Sequence, residues 1–174
     1  MSQTNPDTAS VEEMAVKAEP HPEHRWLQKL VGEWTYETDA PGKPGEAPTK
    51  LTGIEHVRAL GDLWIVAEGQ SQMPGGTLAS TIMTLGYDPQ QQRFVGTWVG
   101  SMMTHMWVYD GVLDQSQKAL ALHSEGPGME DDGKTSDYQD VIEFKSDDHR
   151  VLTAQVQGAD GRWQSFMTME YRRK

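Results

Sequence analysis

The sequence predicts an all-β fold: a ten-stranded antiparallel up-and-down β-barrel preceded by a short N-terminal helix. Three observations predict it. After Gly32, runs rich in β-branched and aromatic residues alternate with turn signals at intervals of about 8–12 residues. The connections are short, which counts against the long crossovers of the alternative, a two-sheet sandwich. Ten hairpin-linked strands also leave two sheet edges to hide, and closure hides both.

The elements follow in order. Residues 1–20 are rich in Ser, Thr, Glu and Pro and lack aromatics, so they read as a flexible N-terminal arm before a barrel domain at 21–174. Pro22 suits a first helical turn, Trp26, Leu27, Leu30 and Val31 follow at helical spacing, and Gly32 ends the helix. Strands are predicted at 33–39, 50–59, 62–72, 78–87, 93–102, 107–114, 118–125, 135–144, 150–157 and 163–172. Turn chemistry separates them: Pro41 to Gly45, Gly61-Asp62, Pro74-Gly75-Gly76, Asp88-Pro89-Gln90, Asp114 to Gln117, Ser146-Asp147-Asp148 and Asp160-Gly161.

Alternation assigns faces. Trp34, Tyr36 and Thr38 share one face of the first strand, and that face points inward. Phe94, Gly96, Trp98, Gly100 and Met102 form an aromatic face with spaced glycines, which suits a cavity wall. Thr81, Met83, Leu85 and Tyr87 do the same in the fourth strand. The last strand divides into Trp163, Ser165, Met167, Met169 and Tyr171 against Phe166, Thr168, Glu170 and Arg172. These side chains either fill the barrel as core or line a lumen, and a barrel of this width favours the lumen.

Composition narrows the chemistry. The chain has no cysteine, which excludes a disulfide framework, a thiolate metal site and a Cys nucleophile. Its net charge of −11 provides no basic stripe for nucleic acid and no attraction to anionic membranes. No apolar run reaches membrane-spanning length, and Met1 to Pro6 resembles no secretory signal, so a cytoplasmic location is expected. Nucleophile elbows, phosphate loops, zinc-protease motifs and dinucleotide fingerprints are absent.

Several residues invite a chemical role. Met102-Met103-Thr104-His105-Met106 combines soft thioethers with an imidazole; it suits the lining or mouth of a pocket, plain packing or, if it collects as a loop, copper(I). His123 lies on the small, polar face of its strand, facing lumen or solvent. Glu68 shares a face with Trp64 and Val66; it either points outward in a cross-strand pair or, if that face is the lumen, needs a partner such as Arg58 and could work with His105 as an acid/base pair. His21 and His24 read as surface, and His56 as part of an exposed charged face. Segment 124–150 holds nine acidic and three basic residues, and its centre, Glu130 to Gly133, reads as a solvated loop lacking the spacing of a calcium site.

The run Leu30-Val31-Gly32-Glu33-Trp34, a short helix leading into Gly-x-Trp, resembles the opening of the calycins, the superfamily of lipocalins and fatty-acid-binding proteins. That resemblance implies a structural Trp34 at the barrel base with Arg172 or Arg173 stacked over it. Gly32-Glu33-Trp34, Leu85-Gly86-Tyr87-Asp88, Gly96-Thr97-Trp98, Gly111 with Asp114, and Tyr171-Arg172 together resemble the bacterial domain-of-unknown-function family fifteen-seventy-nine, whose fold is lipocalin-like. Nitrobindin-like haem barrels also open with Gly-x-Trp, but their haem ligand is a C-terminal His, and no His follows His149 here.

The expected function is binding of a small apolar or amphipathic molecule in the lumen. Tyr36, Met83, Tyr87, Trp98, Met102 and Tyr109 would supply the wall, and His105 or His123 the polar contact. No haem, copper or other cofactor is expected. The alternatives are an isomerase, cyclase or hydrolase using His105 and Glu68, and a ligand-free interaction domain.

Overall fold

The computed structural model describes residues 18–39, 50–73, 75–129 and 133–174. They form one helix, α1 (Pro22–Gln28), and ten strands: β1 (Gly32–Asp39), β2 (Lys50–Leu60), β3 (Trp64–Gln72), β4 (Leu78–Asp88), β5 (Arg93–Gly100), β6 (Trp107–Leu113), β7 (Ala119–Pro127), β8 (Thr135–Ser146), β9 (His149–Gln157) and β10 (Trp163–Arg173). Each strand pairs antiparallel with its sequence neighbours, and β1 pairs with β10 to close the barrel. Every predicted strand is present, with ends displaced by at most two residues. Most of the expected arm, the 41–45 loop and the acidic centre 130–132 lie outside the described residues.

One end of the barrel is plugged. α1 packs against β3 and β4 and buries His24, Trp26 and Leu27. Trp26 meets Phe94 and Phe144 edge-on and donates from Nε1 to the Gln117 carbonyl at 2.8 Å. Beneath it lies Trp34, fully buried, donating to the Leu30 carbonyl at 2.8 Å. Arg173 holds the joint: its guanidinium sits 4.2 Å from the Trp34 ring centroid and donates to the Val31 and Lys29 carbonyls at 2.7 and 2.8 Å. Carbonyls left open where the helix ends thereby find donors. Gly32, at φ +141°, has no side chain because the guanidinium fills that space.

Three expectations need correction here. Of the two last-strand arginines expected over Trp34, Arg173 takes the place and Arg172 does not. Arg173 lies opposite Trp34 in the β1–β10 register and shares its face, whereas Arg172 lies opposite outward-facing Thr35. His24 is not at the surface but 3% exposed: its Nδ1 accepts from the His21 N–H at 2.8 Å and its Nε2 reaches the Tyr87 carbonyl at 3.1 Å. Burial lowers its pKa, which keeps the ring neutral.

The third correction concerns β10. Ser165 pairs with Gln155, yet Met167 pairs with Ala154, so Phe166 is an extra residue in a β-bulge. An inserted residue inverts the alternation beyond it. Trp163 therefore lies on the outer wall beside His123, while Phe166 joins Met167, Met169 and Tyr171 in lining the interior.

Candidate functional site

The barrel encloses a cavity of about 190 Å³. Its floor is a charged pair inside an aromatic stack. Glu55 of β2 and Arg150 of β9 are hydrogen-bonded although β1 and β10 lie between their strands. The Arg150 guanidinium reaches across with its centre 4.0 Å from the Tyr171 ring centroid and 4.7 Å from that of Trp34. Arg150 is 3% exposed and its carboxylate partner 13%. Tyr36 leans on Tyr171 with ring centroids 5.1 Å apart. Gly53 on the neighbouring strand makes this possible, since a Cβ there would strike the Tyr36 ring.

At mid-height, between Tyr138 and Ile142 on the inner face of β8, stands Asp140. It accepts a hydrogen bond from the Tyr109 hydroxyl at 2.6 Å. Burial pushes the Asp140 carboxyl above the usual carboxylate range, against the opposing pull of that bond. The Tyr109 hydroxyl is pushed well up, first by burial and then by the charge of Asp140. Burial does the same to Tyr171, with Glu55 adding to it.

The mouth is aromatic. His105, Trp107, Tyr138 and Phe166 meet edge to face in succession, at centroid separations of 4.9, 4.8 and 6.2 Å. Trp107 donates from Nε1 to the Met103 sulfur at 3.2 Å, and Gly126 leaves room for its ring. Tyr138 donates to the Pro127 carbonyl at 2.6 Å. Edge-to-face rings are mutually stabilising and hold one another in place.

The proposed site residues divide. Tyr36, Met83, Trp98 and Tyr109 line the cavity. Tyr87 instead packs under α1 against His24 and Phe94, because the helix occupies that end of the barrel. Met102 is exposed in the turn after β5, with its sulfur beside Gly100. His105 lies in the same connection, within reach of the Glu125 carbonyl at 3.3 Å. His123 is on the outer wall with Gln139, because Leu120 and Leu122 claim the inner face of β7. Glu68 faces outward 3.8 Å from Arg58, so the His105–Glu68 acid/base pair is not assembled. Among the described residues, no histidine lines the cavity.

Sequence reasoning missed Glu55, Asp140 and Arg150. Their strands carried the signal: Glu55 alternates with Val57, Asp140 with Tyr138 and Ile142, and Arg150 with Leu152 and Ala154. Each is a charge on an otherwise apolar face.

Two solved structures share the fold. Rv2717c from M. tuberculosis is 13% identical, with a TM-score of 0.54, covering 90% of this chain and 99% of that one. The S-type phycobiliprotein lyase CPES from Guillardia theta is 12% identical, with a TM-score of 0.53, covering 87% and 92%. No curated protein matches the chain. The family described as "Protein of unknown function (DUF1579)" matches residues 19–173, from just before α1 to the end of β10, and the chain belongs to that family.

Proposed function

We propose that the protein is a carrier or sensor that holds one small amphipathic molecule in its barrel lumen. The observation that carries this reading is the cavity itself: an apolar and aromatic wall enclosing a few fixed polar groups, the usual character of a small-molecule site. A protein using this space only for packing gains nothing by leaving it open, because unfilled core volume is destabilising. An apolar cavity of about 150 Å³ already accepts a benzene ring. A lumen of about 190 Å³ therefore fits a single ring with a short side chain. Asp140 and the Glu55–Arg150 pair take the polar role that the sequence assigned to His105 and His123.

Trp98 and Trp107 both line the lumen and supply a readout. Titration with single-ring and short-chain amphiphiles, beside long-chain fatty acids, retinoids, polyphenols and porphyrins, is expected to change tryptophan emission saturably for the small compounds. The response should vanish in a Trp98→Phe, Trp107→Phe double variant. Unchanged emission with every compound, or an equal response in the double variant, would remove the lumen reading.

A further inference from the structure

We propose that the lumen selects a small aromatic or alkyl amine in its protonated form, held by Asp140 within the surrounding rings. This rests on the lumen-binding reading and names its ligand class. Charge comes first. Arg150 and Glu55 neutralise each other at the floor. Asp140 is the remaining carboxyl in the cavity, and among the described residues no cation forms an ion pair with it.

Hydrogen-bond polarity agrees. The Tyr109 hydroxyl donates to Asp140, that of Tyr138 to the Pro127 carbonyl and that of Tyr171 to the Met169 sulfur. The Arg150 guanidinium is turned to Glu55, and its Nε is sealed from the cavity without a partner. Apart from the hydroxyls of Tyr36, Thr81 and Ser124 and the indole N–H of Trp98, all of them neutral, the polar groups left to a ligand in the lumen are acceptors. A ligand carboxylate would enter a space whose one cation is already paired with Glu55 and whose other donors are neutral. An ammonium would find an unpaired carboxyl, acceptor oxygens and the faces of aromatic rings, which attract cations. The net charge of −11 also favours approach of a cation.

The groups facing Asp140 are apolar on its flanks: Leu122 on β7 and Ala154 on β9 pair with it. Its titratable company is Tyr109 on β6 and, across the lumen, Tyr171 on β10 with the Glu55–Arg150 pair. The tyrosines stay neutral through the acid and neutral range, so Asp140 governs binding there. Its carboxyl titrates above the ordinary range, so acid neutralises it and weakens amine binding, while rising pH restores both.

The test is a matched series of similar size: 2-phenylethylamine, 3-phenylpropionate and 3-phenyl-1-propanol, titrated by calorimetry at pH 4 to 8. At pH 7 the amine is expected to bind about tenfold or more tighter than the alcohol and the carboxylate weakest of the three. Amine affinity should rise with pH through the Asp140 titration, and alcohol affinity should stay flat. Asp140→Asn keeps an acceptor for Tyr109 and is expected to remove the amine preference and its pH dependence. Should that variant fail to fold, the pH profile of the parent protein decides alone. Tighter binding of the carboxylate or equal binding of all three would overturn the amine assignment and leave lumen binding standing. Binding of none would overturn both.

Discussion

Replacing Glu55 with leucine is expected to destabilise the protein by about 3–5 kcal/mol, the usual cost of stranding one member of a buried ion pair. The Arg150 guanidinium is 3% exposed and wedged between the Tyr171 and Trp34 rings, so it cannot swing into solvent. Its Nε already lacks an acceptor, and Glu55→Leu would leave the rest of the guanidinium in the same position. The two rings soften the loss without replacing a carboxylate. A Glu55→Leu, Arg150→Met double variant is expected to recover most of the stability, because it removes both charges and refills the space with apolar atoms. Urea denaturation of the two single variants and the double variant closes the cycle. A Glu55→Leu variant as stable as the parent, or a double variant weaker than either single, would refute this view of the floor.

Trp34→Ala is expected to cost about 3–5 kcal/mol, as for other large-to-small changes at a buried aromatic. Trp34 is fully buried and joins three parts: the α1 turn through the Leu30 carbonyl, the C-terminal strand through Arg173, and the lumen floor through Arg150. Removing the indole empties that space, takes the π-face from Arg173 and leaves Arg150 with the Tyr171 ring alone. For a chain of this size the melting temperature should fall on the order of 10 °C. Trp34→Phe is the informative control: it keeps a ring under the arginines and loses the 2.8 Å bond, so a deficit of about 1–2 kcal/mol is expected. Equal losses in the two variants would mean that the indole N–H, rather than the ring, holds the joint.

Much of this was legible in the chain, for identifiable reasons. β1 alternates cleanly and β4 does so through Leu85, so the inward positions of Trp34, Tyr36 and Met83 follow from period two, while in β5 the aromatic face with spaced glycines marks the side of Trp98. Ten strands with short turns implied closure, and β1 does meet β10. What eluded the sequence depends on contacts between distant segments. The bulge at Phe166 shifts β10 by one residue, and nothing local to Trp163–Tyr171 announces it. Arg150 and Glu55 are 95 residues apart and meet only because the barrel curves. His105 and His123 were drawn into the site by their chemistry, whereas the strand register puts His123 outside and His105 lies in the connection after β5; His24, read as surface, is buried in α1 against Tyr87. Asp140 sat among many acidic residues, and although it alternates with Tyr138 and Ile142, its burial beside Tyr109 is what sets it apart from them.

The methionines provide the most direct test that the lumen is the binding site. Met83, Met103, Met167 and Met169 line the cavity, whereas Met102, Met106 and Met129 are exposed and do not. With [methyl-¹³C]methionine protein, each methyl resonance assigned by single substitution, 2-phenylethylamine and its alcohol and carboxylate counterparts are titrated in turn. The expected result is saturable shifts of the Met83, Met167 and Met169 methyls with at least one of the three, while Met106 and Met129 stay still. Shifts confined to the exposed methionines, or no shifts with any ligand that binds by calorimetry, would contradict a lumenal site.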